Sequence, residues 1–109
     1  MFKHFETAAI RNQTERTQFY EQSTPLYLTC SFVLDDAEEM RASFAEEKQR
    51  NLYSRFSNPN TTEFVDKIVS MEGDEAGYAV ATGMSAIFST FAALLSAGDH
   101  IVSCRSVFG

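Results

Sequence analysis

The sequence predicts an α/β fold, because two short β-permissive segments flank one long apolar helix. Residues 78–81 read as a strand, and Thr82-Gly83 follows them. Residues 84–96 then carry no charged side chain, which is typical of a helix buried on most sides. Residues 99–104 form the second predicted strand. A strand, a helix and a parallel strand normally continue into a larger sheet, so we expect the N-terminal piece of a longer protein.

The composition is that of a globular chain and argues against a nucleic-acid or membrane partner. The 109 residues suffice for one small domain, and the net charge of −6 argues against binding to nucleic acid or anionic lipid. No apolar run reaches membrane-spanning length, and the first residues lack the apolar core of a signal peptide. We therefore expect a cytoplasmic protein in which Cys30 and Cys104 are reduced thiols.

The first part of the chain predicts an arm rather than a packed domain. Residues 1–24 are polar and weakly patterned, and they suggest a short helix followed by extended chain. Pro25 stops any helix, because the residue before a proline is driven to extended geometry. Residues 26–34 are rich in β-forming side chains without clean alternation. An extended arm on a protein surface fits this pattern better than a sheet strand.

Two amphipathic helices are predicted next. One aspartate of the pair 35–36 caps the first helix, which spans residues 37–50. Its glutamates are expected to face solvent, and they are Glu38, Glu39, Glu46 and Glu47. One threonine of the pair 61–62 caps the second helix, and Gly73 ends it.

The loop between these helices, residues 51–61, carries more aromatic and cationic side chains than a solvated connector needs. Tyr53 and Arg55 are two residues apart, so extended chain directs both side chains to the same side. A guanidinium offers a planar fork of donors and a phenol adds one more, which suits a phosphate group. The alternative is a structural Tyr–Arg stack with a surface salt bridge.

A second anion site is predicted where the first strand turns into the apolar helix. The first backbone N–H groups of a helix have no acceptor within it, and they lie at the positive end of its dipole. Gly83 lets an anion approach the backbone closely, and the hydroxyls of Thr82 and Ser85 can add donors. The alternative is that Gly83 only eases a tight turn between two core elements.

Other kinds of active site find little support in the sequence. His4 and His100 are isolated, and no Cys or His pair has the spacing of metal ligands. Cys104 has no visible histidine partner that would activate it as a nucleophile. The sequence holds no glycine-rich dinucleotide motif and no P-loop, which weakens a nucleotide-binding interpretation.

Two motifs together carry a family resemblance. Tyr-Ser-Arg-Phe-Ser-Asn-Pro-Asn-Thr at 53–61 and Ala-Thr-Gly-Met-Ser-Ala-Ile at 81–87 resemble the cystathionine γ-synthase-like family of pyridoxal-phosphate (PLP) enzymes. These enzymes belong to cysteine and methionine metabolism, and the resemblance spans nearly the whole chain. It implies a fold-type I PLP-dependent transferase. Residues 1–60 would form an N-terminal arm, helix and loop that contact the partner subunit, and residues 61–109 would begin the large αβα domain.

The resemblance also implies which residues hold the cofactor, pyridoxal 5'-phosphate. Tyr53 and Arg55 would bind its phosphate in the neighbouring subunit of a homo-oligomer, expected to be a dimer of dimers with shared sites. The backbone N–H groups of Gly83 and Met84 would bind the phosphate within their own subunit. Phe108 would stack on the pyridine ring. Many members have Tyr at that position, so Phe108 keeps the stacking surface and loses the hydroxyl.

No catalytic residue is expected within this chain. The family needs a lysine that forms a Schiff base with the cofactor. The three lysines here do not stand in the family's lysine context, and they are Lys3, Lys48 and Lys67. We expect the Schiff-base lysine beyond Gly109.

The activity implied by the resemblance is a γ-replacement on an amino-acid substrate. An O-acylated homoserine, with a succinyl or acetyl group, would react with sulfide to give homocysteine. Within the family, the alternatives are replacement by cysteine and γ-elimination. An alternative from another class is a non-catalytic phosphate-binding or assembly module.

Overall fold

The computed structural model describes residues 4–12 and 15–107, and the regular structure of these residues is helical. Their four helices are α1 (Phe5–Arg11), α2 (Ala37–Phe44), α3 (Pro59–Glu72) and α4 (Gly83–Leu94). The chain divides into two compact units, Met1–Tyr78 and Ala79–Gly109. The proposed division into an arm region and a cofactor domain at residue 60 stays a prediction.

The N-terminal part forms a short helix and then an extended arm, as predicted. α1 packs against α3 within the first unit. The arm pairs with the loop before α3: the N–H of Phe32 donates to Leu52 O over 3.0 Å, and the N–H of Ser54 donates to Cys30 O over 2.9 Å. An isolated antiparallel bridge lies between these two bonds. This pairing is too short to make the arm a sheet strand.

Helix α2 starts where predicted and ends earlier. Asp36 is its N-cap, and Oδ1 of Asp36 accepts from the N–H of Glu39 over 2.7 Å. The helix ends at Phe44 rather than at residue 50, because Glu46 adopts a left-handed backbone with φ of 59°. Residues with a Cβ rarely adopt this geometry and do not continue a right-handed helix through it. The helical hydrogen-bond ladder therefore stops before Glu46.

Glu39 corrects the expectation that the glutamates of this region all face solvent. Its side chain is buried, and its carboxylate accepts from the N–H of Asp35 over 2.7 Å. The early end of α2 lets the chain turn back, so that Lys48 and Arg50 (Nη1, 3.0 Å) form ion pairs with the same carboxylate. The backbone hydrogen bond from Asp35 and the hydrogen bond from Lys48 lower the pKa of Glu39.

A pH-dependent contribution to stability follows from the lowered pKa of Glu39. The unfolded value is about 4.3, so the stabilising contacts are present above it and are lost as pH falls through the lower folded pKa. We expect Glu39→Gln to lower the thermal midpoint near neutral pH, and to lower it by less as the pH falls through the lowered pKa of Glu39 and the carboxylate becomes protonated. Thermal melts of both proteins by circular dichroism over a series of pH values measure this difference. A difference of equal size at every pH would contradict the role.

Helix α3 starts earlier than predicted. Asn58, not a threonine of the pair 61–62, is the N-cap, and its Oδ1 accepts from the N–H of Asn60 over 2.9 Å. Pro59 takes the first helical position, where a missing N–H leaves no hydrogen bond unmade. Gly73 ends the helix with φ of 76°, as predicted. The cap therefore belongs to the Asn-Pro-Asn segment that precedes the threonines.

In the second unit, α4 begins at Gly83, directly after the predicted turn, and Thr82 is its N-cap. The strands predicted at 78–81 and 99–104 are wrong for this structure, because these residues have no regular secondary structure. A strand forms only where a neighbouring segment exchanges backbone hydrogen bonds with it. No described residue supplies such a ladder to either segment.

The described residues bury polar rather than apolar side chains. No hydrophobic side chain among them is buried, and the buried ones are Glu39, Ser43, Asn58 and Glu63. Helix α4 corrects the expectation of a helix buried on most sides, since Met84 is 70% exposed and Leu94 is 75% exposed in the single chain. Hydrogen bonds or ion pairs hold Glu39, Asn58 and Glu63, whereas the hydroxyl of Ser43 has no hydrogen-bond partner among the described residues.

Candidate functional site

The N-terminus of α4 offers two backbone donors. Gly83 and Met84 begin the helix, where N–H groups lack an acceptor one turn earlier, and neither amide donates to another described residue. The helix dipole adds positive partial charge at this end. A Cβ built on Gly83 would meet no atom within 4 Å. The space beside Gly83 is therefore open as far as the described residues are concerned.

Thr82 has a more specific role than the one predicted. Its Oγ1 accepts from the N–H of Ser85 over 3.1 Å, so the hydroxyl caps α4. This bond uses the N–H of Ser85 and leaves those of Gly83 and Met84 as the backbone donors. The hydroxyl proton of Thr82 can still donate to an anion, because a hydroxyl donates and accepts at once.

Tyr53 and Arg55 meet through a turn and not through extended chain. The carbonyl of Tyr53 accepts from the N–H groups of Phe56 (2.8 Å) and Ser57 (3.0 Å), which closes the turn. The guanidinium carbon of Arg55 lies 5.4 Å from the centroid of the Tyr53 ring, within the range of a cation–π contact. Alternation along an extended chain was the wrong reason for their approach, although the two side chains do come together.

The structural alternative for this pair required a stack and a salt bridge. The stack is present, but no carboxylate in the described part of the first unit forms an ion pair with Arg55. Arg55 is exposed, and Tyr53 is 38% exposed. A guanidinium stacked on a ring keeps its N–H donors in its own plane, pointing outward from its edge. The pair can therefore offer positive charge and donors to an anion from outside the chain.

The donors described above fit a phosphate monoester. A phosphate carries nearly two negative charges and three strong acceptor oxygens, and it suits a guanidinium, a phenol hydroxyl and helix-terminal N–H groups. Tyr53 and Arg55 belong to the first unit, and Gly83 and Met84 to the second. Phe108, the predicted ring-stacking residue, lies outside the described residues. The cofactor roles of these residues stay predictions.

Both lysines in the described part of the first unit form ion pairs. Nζ of Lys48 contacts the carboxylate of Glu39, and Nζ of Lys67 lies 3.0 Å from Oε1 of Glu63. Glu63 is buried, and the hydroxyl of Thr24 donates to its other carboxylate oxygen. Glu63 therefore joins the arm to α3, a part that sequence reasoning did not foresee. The signal for it was a carboxylate in the first turns of a helix, four residues before a lysine.

Other site chemistries are not supported in the part of the chain that the structure describes. It holds no group of three or more His, Cys, Asp or Glu side chains that could bind a metal ion. A cavity in the first unit is lined by side chains of both charges, among them Glu21, Lys48 and Arg50, and the two cations already contact Glu39. None of the described helices is both long enough and apolar enough to cross a membrane.

The chain has the fold of a solved PLP-dependent enzyme. A crystal structure described as an O-acetylhomoserine (thiol)-lyase from Campylobacter jejuni, which contains N'-pyridoxyl-lysine-5'-monophosphate, matches it with a TM-score of 0.81 and 29% identity. The match covers 87% of this chain and 23% of that one. This is the fold of the fold-type I PLP-dependent enzymes, which confirms the predicted fold class, although residues 78–81 and 99–104 form no strand in this structure.

Sequence comparisons give the family. Residues 6–109 match the family described as Cys/Met metabolism PLP-dependent enzymes, and the chain belongs to that family. It is 42% identical to an O-succinylhomoserine sulfhydrylase of Pseudomonas aeruginosa, over 96% of this chain and 26% of the relative. It is 39% identical to an L-methionine gamma-lyase of Fusobacterium nucleatum, over 94% of this chain and 26% of the relative. The chain thus spans about a quarter of the length of these curated relatives.

Proposed function

We propose that the chain supplies the phosphate-binding elements of a PLP-dependent enzyme that makes homocysteine from O-succinylhomoserine and sulfide. The observation that carries the proposal is the exposed Tyr53–Arg55 stack, which has no carboxylate partner in the described part of the first unit, in a chain of a PLP-dependent family. O-Succinylhomoserine sulfhydrylases of Pseudomonas aeruginosa and Mycobacterium tuberculosis are 42% and 39% identical to it. O-Acetylhomoserine is the alternative acyl donor, in line with the name of the structural neighbour.

Each residue of the proposed site has a defined part in holding the cofactor. Arg55 places a positive charge and a fork of donors against the phosphate, and the hydroxyl of Tyr53 adds one donor. The N–H groups of Gly83 and Met84 donate to the remaining phosphate oxygens at the positive end of α4. Phe108 offers a ring face to the pyridine. When bound, PLP supplies the electron sink for carbanion chemistry on an amino-acid substrate.

The proposal includes a site shared between two copies of the chain. Tyr53 and Arg55 of one copy would hold the phosphate that Gly83 and Met84 of the other copy bind. The apolar side chains of α4 are exposed in the single chain, which supports an assembly that covers them. The proposed assembly is a homo-oligomer, a dimer of dimers, in the cytoplasm.

A second candidate reaction is γ-elimination. The L-methionine gamma-lyase of Fusobacterium nucleatum is 39% identical to the chain, close to the value for the sulfhydrylases. Both activities use the same cofactor, so the phosphate-binding residues do not distinguish them. A non-catalytic phosphate-binding module remains the candidate from another class.

A product assay on the intact protein that carries this chain tests the proposed function. We expect the PLP-loaded protein to form homocysteine from O-succinylhomoserine and sulfide, at a rate well above that with cysteine as acceptor. Cystathionine as the main product, or methanethiol, 2-oxobutanoate and ammonia from L-methionine and water, would point to the other family reactions. A protein that takes up no PLP and shows no cofactor absorbance would support the non-catalytic module.

A further inference from the structure

The side chain of Asn58 joins three segments of the first unit. It is 8% exposed, and its Oδ1 accepts from the N–H of Asn60 at the start of α3. Its Nδ2 donates to Tyr27 O in the arm over 3.1 Å and to Oγ of Ser54 in the loop over 3.0 Å. A backbone carbonyl can only accept, so the amide NH₂ must face the arm, which fixes the orientation of the amide.

Ser54 lies between the two residues proposed to hold the cofactor phosphate. Its N–H donates to Cys30 O over 2.9 Å, and its hydroxyl donates to Thr29 O. Its Oγ also accepts from Asn58, so the backbone and the side chain of Ser54 are both held. Because Ser54 is bonded covalently to Tyr53 and Arg55, any shift of Ser54 moves both of them.

We propose that Asn58 is a positioning residue that sets the Tyr53–Arg55 pair for the cofactor phosphate by acting through Ser54. This inference rests on the proposed function. Arg55 is exposed, and its contact with the Tyr53 ring is a weak restraint on a long side chain. The network around Ser54 therefore supplies the fixed base from which Tyr53 and Arg55 reach an anion. A hydrogen-bonded, buried amide is suited to this, because its loss leaves polar groups without partners.

Asn60 provides a matched comparison within the same motif. Its Oδ1 accepts from the N–H of Tyr27 over 2.8 Å, and its Nδ2 donates to Pro25 O over 2.7 Å. Asn60 thus holds the same arm as Asn58 but has no hydrogen bond to Ser54. A variant of Asn60 reports on attachment of the arm alone.

The test compares Asn58→Ser with Asn60→Ser in the intact protein, titrated with PLP and with pyridoxal, which lacks the phosphate. Serine is as good an N-cap as asparagine and adds no charge, so α3 keeps its start, while its short hydroxyl cannot replace the amide donors. We expect Asn58→Ser to weaken PLP binding by about tenfold, the scale of a lost hydrogen-bond network, and to leave pyridoxal binding little changed. We expect Asn60→Ser to lower the thermal midpoint about as much as Asn58→Ser does, but to change PLP binding by less than about threefold.

A double-mutant cycle with Ser54→Ala tests whether Asn58 acts through Ser54. The Ser54→Ala variant alone also keeps the inference testable if the Asn58 variant misfolds. Ser54→Ala alone should weaken PLP binding, and adding Asn58→Ser should weaken it by less than about twofold more, because both changes break one path. The inference would be overturned if the losses of PLP affinity caused by Ser54→Ala and Asn58→Ser were additive. It would also be overturned if Asn58→Ser weakened PLP and pyridoxal binding equally, or if Asn58→Ser and Asn60→Ser weakened PLP binding equally. If the wild-type protein binds no PLP, the proposed function fails instead.

Discussion

Arg55→Ala is expected to weaken PLP binding by about 10- to 150-fold, which corresponds to about 1.5–3 kcal/mol for hydrogen bonds to a charged group. Arg55 is exposed and has no ion-pair partner in the described part of the first unit, so its removal leaves no buried charge behind. The thermal midpoint of the protein without cofactor should therefore change little. The measurement is a titration with PLP, followed by cofactor absorbance after removal of unbound cofactor.

The control for this variant is Arg41→Ala. Arg41 is also an exposed arginine of the first unit, but it pairs with Glu38 (2.8 Å) and Glu47 (2.7 Å) and so has a structural role. We expect PLP binding of Arg41→Ala to match that of the wild type. An Arg55→Ala protein that binds PLP as tightly as Arg41→Ala would show that Arg55 does not contact the phosphate. Equal losses for PLP and pyridoxal would show that the effect is not on the phosphate.

Gly83→Val is expected to weaken PLP binding by at least about tenfold, because a branched side chain would stand where an anion approaches the amides of Gly83 and Met84. The fold should tolerate the change, since a Cβ at Gly83 meets no atom within 4 Å. A valine also restricts the unfolded chain more than glycine does, so the thermal midpoint of the apoprotein should not fall sharply. Titration with PLP and a melt of the apoprotein measure the two effects separately.

Ala86→Val is the matched control for the glycine variant. Ala86 lies one turn further along α4, is exposed, and follows the amides proposed to bind the anion. Its N–H donates to Thr82 O over 3.1 Å, so it has no spare donor. We expect Ala86→Val to change PLP binding little. If both valine variants weaken PLP binding equally, the loss comes from a general effect of valine on α4 and not from blocked access to the amides of Gly83 and Met84.

Helix ends that depend on local chemistry were predictable from the sequence. Asp36 caps α2, Thr82 precedes α4, and Gly73 ends α3 in a left-handed conformation. The side chains of Asp36 and Thr82 accept from backbone N–H groups three residues later, and the missing Cβ of Gly73 permits its left-handed conformation. The residues that determine these helix ends lie within a few positions of them in the sequence.

Features that depend on distant residues were not predictable in the same way. Glu39 is buried because the chain reverses after the early end of α2 and brings Lys48 and Arg50 into ion pairs with it. The helical pattern of residues 37–50 does not predict this reversal. Asn58 caps α3 and also holds the arm at Tyr27, a contact across the sequence that a local pattern does not report. The two predicted strands would need ladder partners that no described residue provides.

The sequence singled out the residues of the candidate site, whose cofactor roles stay predictions, but predicted their geometry only in part. Tyr53 and Arg55 do come together, yet they do so across a turn closed by the carbonyl of Tyr53. Pairing of the loop with the arm stops after a single bridge, and the turn follows at once. The donors at Gly83 and Met84 were predictable, because every helix N-terminus has such groups and this one begins with glycine.

The most direct test of a shared phosphate site mixes Arg55→Ala subunits with Gly83→Val subunits of the intact protein. In a mixed pair, Gly83 of the Arg55→Ala subunit and Arg55 of the Gly83→Val subunit would form one undamaged site, while the other site would carry both changes. Titration of the mixture, after dissociation and reassembly, should therefore recover a population of sites with wild-type affinity for PLP that neither variant shows alone. A mixture that binds PLP no better than the two separate variants would contradict the account.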